Sequence, residues 1–177
     1  IIRLEKSRNM NSVGEPPEGS KKNPLSLSWY ANPKHETGLA KLKSNLDNLY
    51  KNNIPKGKNK GDRLLITTFK DHEGQLTGRG YKNSFIECGA RATNAYADRD
   101  HLAYLVNRFF NPMTKRFLKS RGAGFNEEAY ALSSMLQWIF RGAIRNGQPT
   151  YLYVPSTRMR KLLEEWLHQQ PPIASAA

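Results

Sequence analysis

The stretch Leu64-Leu65-Ile66-Thr67-Thr68-Phe69 decides the fold. Its residues are all apolar or β-branched, with Gly61-Asp62 before them and Asp71 to Gly74 after. A short apolar run closed by turn residues reads as a strand buried on both faces, as in a parallel sheet covered by helices. Tyr151-Leu152-Tyr153-Val154, stopped by Pro155, reads the same way. Ser84-Phe85-Ile86-Glu87-Cys88, ending at Gly89, is a further short strand.

Helical spacing fills the intervals. From His35 to Asn52, Leu39, Leu42, Leu46, Leu49 and Tyr50 form one stripe, leaving Lys41, Lys43 and Lys51 for the polar side. Leu102, Leu105, Val106 and Phe109 predict a helix from Leu102 to Phe110, broken at Pro112, and Met113 to Ser120 is another. Asn126 opens the longest helix, with Glu127 and Glu128 at the positive end of its dipole, and Gly147 stops it after about Asn146. Thr157 to His168 carries Met159, Leu162, Leu163, Trp166 and Leu167 along one side. Strands alternating with helical crossovers predict an α/β fold, a parallel sheet flanked by helices. Asn9 to Pro24, rich in Gly, Pro, Ser and Asn, reads as a linker. Residues 1–24 are therefore expected as a flexible basic arm, 25–170 as one α/β lobe and 171–177 as a disordered tail. Trp29-Tyr30 lies outside any stripe and is either a structural anchor or a platform for bases.

Charge narrows the partners. The 177 residues hold 28 Lys+Arg against 15 Asp+Glu, a net charge of +13. Such a balance points to polyanions, nucleic acid first and DNA ahead of RNA. No apolar run approaches the roughly 18–20 residues that span a bilayer, and no signal pattern opens the chain, so a cytoplasmic protein without membrane contact is expected. Cys88 is the single cysteine, which excludes an internal disulfide or a thiolate-rich zinc site, and the four histidines lack ligand spacing. The start at Ile1, without Met, suggests a portion of something longer.

Two constellations carry candidate chemistry. Gln137, Arg141 and Arg145 are four apart, which on a helix aligns an amide and two guanidiniums along one side, suited to phosphates. No acidic residue occurs from Ala129 to Leu163, so an external anion is expected there, although a solvated polar face beside a core stripe accounts for the same pattern. The second constellation is Gly89 to Tyr96, where Arg91, Thr93 and Asn94 follow a strand end and could donate to phosphate or sugar, or simply cap a helix. Thr67 and Thr68 would project from the same sheet edge, while Arg79 and Lys82 on nearby loops would track a backbone by charge.

These segments carry a resemblance. The runs L-L-I-T-T-F-K, S-F-I-E-C-G-A-R-A-T-N-A-Y, L-A-Y-L-V-N-R-F-F-N-P, Y-A-L-S-S-M-L-Q-W-I-F-R-G-A-I-R and Y-L-Y-V-P-S-T-R-M-R-K-L-L, between Leu64 and Leu167, resemble the second, C-terminal RecA-like lobe of DEAD/DEAH-box-type helicases from phages and mobile elements. The resemblance implies that Gln137, Arg141 and Arg145 supply an arginine finger to the γ-phosphate of ATP held by another lobe. It also implies that Thr67, Thr68, Arg91, Thr93 and Asn94 contact the strand. The spacing departs from the family's, since Arg145 follows Arg141 by four residues rather than three and Phe140 stands where a glycine is usual. The chain has no Gly-x-x-x-x-Gly-Lys-Ser/Thr loop and no matching acidic Mg²⁺ partner, so ATP and Mg²⁺ would be bound mainly by a Walker-containing lobe or partner chain, and by this chain alone neither. Two readings follow: a nucleic-acid-binding motor lobe of a helicase or translocase, or a non-enzymatic basic DNA/RNA-binding module of a replication or nucleoprotein assembly.

Overall fold

The computed structural model describes residues 2–20, 23–57, 60–90 and 95–170. In chain order its strands are β1 (Ile2–Leu4), β2 (Leu64–Thr67), β3 (His101–Tyr104) and β4 (Thr150–Tyr153). Its helices are α1 (Arg8–Asn11), α2 (Leu27–Tyr30), α3 (Glu36–Asn48), α4 (Glu73–Leu76), α5 (Pro112–Ser120), α6 (Glu127–Ile139) and α7 (Thr157–Gln169). The four strands make one sheet in the order β1-β4-β3-β2, and every pairing is parallel. The expected parallel sheet flanked by helices is the architecture observed.

Side chains alternate along each strand between two cores. Leu64 and Ile66 of β2, Ala103 of β3, Leu105 just after it and Tyr153 of β4 meet Leu42, Leu46 and Leu49 from α3 and the turn that continues it. Leu65, Leu102, Tyr104, Leu152 and Val154 face the other way, against Ala131, Met135, Trp138 and Ile139 of α6 and Met159 and Leu163 of α7. Burying a side chain of this size contributes about 1.5–3 kcal/mol, so these two layers hold most of the folding free energy. Side-chain caps set the helix starts: Asn126, the opening read from sequence, accepts through Oδ1 from the N–H groups of Glu128 and Ala129 at 3.1 and 3.0 Å, and Ser156 Oγ accepts from Met159 N–H at 3.4 Å.

Four expectations are corrected. The stretch read as a helix from Leu102 to Phe110 begins instead as β3, because burial from His101 through Asn107 is continuous and conceals the difference between a strand and a helix. Ser84 to Cys88 is no full strand: Phe85 forms a single bridge to Ile66, and Ile86 N–H donates to the Ile66 carbonyl at 2.9 Å. The long helix ends at Ile139 rather than near Asn146. Gly142 there lies so close to the Arg99 carbonyl and Leu102 that a Cβ would meet them at 2.8 and 3.0 Å, and Ala143 N–H donates to Arg99 O at 2.8 Å. A further 3₁₀ turn, Ala143–Asn146, ends at Gly147 with φ of +72°.

The fourth correction concerns the expected flexible arm. Its first residues form the edge strand β1, and Met10 and Asn11 of α1 are buried. The Met10 carbonyl accepts from Asn45 Nδ2 at 2.9 Å and from the Tyr153 hydroxyl at 2.7 Å, tying the segment to α3 and β4. Gly14 touches the backbone of Pro155, where a Cβ would sit 1.9 Å from the carbonyl oxygen. Trp29 and Tyr30 are buried, and the Tyr30 hydroxyl donates to Leu105 O at 2.8 Å, so this pair is a structural anchor. The expected tail, 171–177, lies outside the described residues.

Candidate functional site

A parallel sheet gathers the carboxyl ends of its strands on one edge, where ligands of open α/β folds bind in the loops. Here that edge holds Thr68-Phe69 after β2, Leu105 to Phe110 after β3 and Pro155-Ser156 after β4. α2 is drawn to the same place: Asn107 N–H donates to Leu25 O at 2.8 Å, and Asn107 Nδ2 donates to Pro24 O at 3.1 Å. Leu25, fully buried, has φ of +62°, a left-handed conformation that is strained for a bulky residue. Between α2, the β3–α5 turn and the start of α6 lies a cleft of about 700 Å³. Phe69, Phe109, Phe110 and Tyr130 supply its aromatic lining, and Ser26, Ser28, Asn107, Arg108 and Lys115 are among its polar residues.

Arginine contacts fix the shape of this cleft. Arg158, in the first turn of α7, donates through Nη1 to Asn107 Oδ1 at 3.2 Å and to Arg108 O at 2.8 Å, with its guanidinium 4.6 Å from the Phe109 ring centroid. Arg108 donates through Nη2 to the Tyr130 hydroxyl at 3.1 Å, and its Nε is buried without a hydrogen-bond partner. Burial works against the Arg108 charge, but the neighbouring Cys88 thiol and Tyr130 hydroxyl outweigh it and hold the guanidinium pKa above its ordinary value. Lys115 Nζ lies 2.9 Å from Glu127 Oε2. That hydrogen bond, opposed by partial burial and reinforced by Phe110 N–H, holds the Glu127 carboxyl below the usual range. Phe110 is backed by Phe125 at 4.0 Å and by Tyr130, edge-on, at 4.8 Å between centroids.

The cleft continues onto an unusual helix. α5 buries none of its residues, and Met113 and Phe117 are exposed upon it. From Val106 through Asn126 the chain carries Arg108, Lys115, Arg116, Lys119 and Arg121 and no acidic residue. Glu127 compensates Lys115 alone, so the strip from the cleft along α5 is strongly cationic.

The structure separates the residues that the sequence grouped. Gln137 is exposed on α6 and donates through Nε2 to Ser133 Oγ at 3.2 Å. Arg141 lies past the end of α6 and donates through Nη2 to the Ala90 carbonyl, while Arg145 sits on the following 3₁₀ turn, so the three share no helix face. The 142–148 segment packs on Arg99, just before β3, which places it at the amino ends of the strands, opposite the cleft. Thr67 and Thr68 do lie at the carboxyl end of β2, but both are buried, so neither is presented to a strand at the surface. Arg79 and Lys82 are exposed beside the loop at Gly61, which precedes β2. Arg91, Thr93 and Asn94 lie outside the described residues. Arg108, Phe110, Lys115, Tyr130 and Arg158 were not singled out by sequence, and Phe109 was read only as part of a helical stripe. The acid-free run that contains Phe109-Phe110 is the signal that could have marked this segment.

Comparison with known proteins places this geometry in a family. Residues 1–167 match the family model described as the YonV C-terminal Rossmann-like domain, and the chain belongs to that family. It is 47% identical over 146 residues to the "SPbeta prophage-derived uncharacterized protein YonV" of Bacillus subtilis (strain 168), covering 82% of this chain and 34% of that protein. The chain thus spans about a third of the length of this curated relative. No solved structure matches it. The chain is a Rossmann-like domain with a prophage-derived relative. Among the described residues no helix is long and apolar enough to cross a membrane.

Proposed function

We propose that this domain is a nucleic-acid-binding module that grips a polynucleotide backbone along the carboxyl edge of its sheet. The observation that carries the reading is the acid-free cationic strip from Arg108 to Arg121, running from an aromatic-lined cleft onto a helix with no buried residue. Guanidinium and ammonium groups in such a strip displace counterions from phosphates, a contribution independent of base sequence. In this reading Arg116 and Lys119 of α5 contact phosphates directly, and Arg108 does so at the mouth of the cleft.

The second reading, the C-terminal RecA-like lobe of a DEAD/DEAH-type helicase, is compatible with a parallel sheet flanked by helices. It needs Gln137, Arg141 and Arg145 poised together toward a γ-phosphate presented, with Mg²⁺, by a Walker-containing lobe. Their dispersal beyond α6 gives that arrangement no single face, and we place binding without ATP turnover ahead of it. Affinity of the domain for a fluorescent 20-nucleotide strand, measured across a salt series, tests the proposal. Log affinity should fall linearly with log salt, and R116A/K119A should make the slope shallower by about 1.5–2. A salt-independent affinity, or a double variant with the parent slope, refutes it.

A further inference from the structure

We infer that the cleft beside the cationic strip seats one unstacked nucleobase, so that the domain selects single-stranded over duplex nucleic acid. The inference rests on the nucleic-acid reading above and adds to it what lies between the phosphates. A volume of about 700 Å³ exceeds what a phosphate or a lysine-sized group needs and falls within the range of small-molecule sites. Its lining rings are held from behind: Phe109 by the Arg158 guanidinium at 4.6 Å, Phe110 by Phe125 at 4.0 Å. A ring fixed on one side and lining a cleft on the other is a platform for a planar π-system, and every base has such a face.

Two further features match a nucleotide better than an apolar peptide side chain. Ser26 and Ser28, with hydroxyls 3.1 Å apart, line the cleft together with Arg108, giving hydrogen-bonding groups for a base edge and a cation for a flanking phosphate, while Glu127, also in the lining, is neutralised by Lys115 at 2.9 Å. Among the described residues Arg108 also makes a single side-chain hydrogen bond, from Nη2 to the Tyr130 hydroxyl at 3.1 Å, so its other Nη N–H groups are the donors a base edge or phosphate would meet. The turn itself is rigid: Asn107 is bonded to Leu25 O, Pro24 O and Arg158, and Leu25 is held in its left-handed conformation, so the platform needs no ordering on binding. A duplex offers no free base face, because stacking neighbours cover both sides of each base. Entry of a base therefore requires a single strand or an opened pair.

Three probes with the same number of phosphates separate the possibilities: a 12-nucleotide oligothymidylate, the same strand with abasic sites throughout, and a blunt hairpin closed by a base-free linker. Fluorescence anisotropy should show the abasic strand and the hairpin bound about tenfold or more weakly than the base-bearing strand. A 2-aminopurine placed in the strand should be quenched on binding. The F109L variant should remove the preference for bases while keeping the parent salt slope, and its thermal unfolding reports whether the fold survives. Equal binding of base-bearing and abasic strands, or a hairpin bound as tightly as the single strand, overturns the base pocket while leaving backbone binding standing. Failure of all three probes to bind overturns the nucleic-acid reading itself.

Discussion

Replacing Arg158 by lysine keeps the positive charge and removes the planar fork. In the native domain Nη1 donates to Asn107 Oδ1 at 3.2 Å and to Arg108 O at 2.8 Å, and the guanidinium lies 4.6 Å from the Phe109 centroid. A lysine ammonium, which ends one bond short of the arginine Nη, can recover one of these hydrogen bonds, not both together with the stacking. A hydrogen bond from a charged donor contributes about 1.5–3 kcal/mol and a partly exposed cation–π contact about 0.5–1 kcal/mol. Because Arg158 is only partly buried, the low ends apply, and Arg158→Lys should cost about 2 kcal/mol. For a domain of this length each kcal/mol lowers Tm by roughly 2–4 °C, so the melting temperature should fall by about 4–8 °C. Urea unfolding should give a lower midpoint with an unchanged m-value, since the native surface is the same. Strand affinity should fall as the turn loosens, while the salt slope stays within about half a unit, because Arg158 acts through Phe109 and Asn107 rather than on phosphate. A variant that melts within about 1 °C of the parent refutes the clamp, because the shift expected is several times larger.

The glycine contact at Gly14 predicts that Gly14→Ala destabilises by about 2 kcal/mol or more, since the new Cβ would overlap the Pro155 carbonyl at 1.9 Å, whereas Gly57→Ala, with nothing within 4 Å, should melt like the parent. Equal Tm values for the two variants would show that the N-terminal segment is not docked against Pro155. At Asp100, burial raises the carboxyl pKa, but hydrogen bonds from Arg63 and His101 outweigh it and bring the folded value below the ordinary 3.8. A carboxyl lowered on folding contributes stability that is complete above its unfolded pKa and is lost as pH falls through the folded one. Asp100→Asn should therefore lower stability at neutral pH and flatten its decline below about pH 4, as measured by urea midpoints across pH; a parallel offset at every pH would refute the linkage. Arg141→Ala and Arg145→Ala should each leave strand affinity within about twofold, as residues outside the cationic strip, and a tenfold loss in an anisotropy titration would move the interface to the amino edge.

The parts of the fold that were legible in the sequence are those with local punctuation. Leu64 to Phe69 and Tyr151 to Val154 are apolar runs between Gly, Asp and Pro, and α5, α6 and α7 begin at Asn111, Asn126 and Ser156, whose side chains cap them. Where tertiary contacts decide, the sequence is silent. Seven consecutive buried residues from His101 to Asn107 leave no alternation, so a strand resembles a helix there. Gly142 ends the long helix because the Arg99 carbonyl lies against it, a contact across some 40 residues. The N-terminal strand has three residues, too few for any period, and its anchoring depends on Tyr153 and Asn45 far along the chain. The site suffered from the β3 reading in particular. With Leu102 to Phe110 taken as a helix, Arg108 is one of several positions on its surface; with His101–Tyr104 as a strand, Asn107 to Phe110 becomes the loop at its carboxyl end, where ligands of such sheets collect.

That same assignment bears on the motor reading. A four-residue strand rises roughly 3.3 Å per residue, so the two edges of this sheet are separated by about 13 Å. The cleft with Arg108 and Arg158 belongs to one edge, and the turn bearing Arg145 belongs to the other. One phosphate group cannot touch both. If an ATP-bearing lobe elsewhere in a longer protein engages Arg141 or Arg145, it approaches the face opposite the proposed strand, and removal of those arginines would change turnover while leaving strand binding intact. If the cationic strip is the only functional surface, adding ATP changes nothing at any salt concentration. Under the proposed strand site, affinity measured on this domain reports on the carboxyl edge, and a response of that affinity to ATP would require coupling through the sheet that joins the two edges.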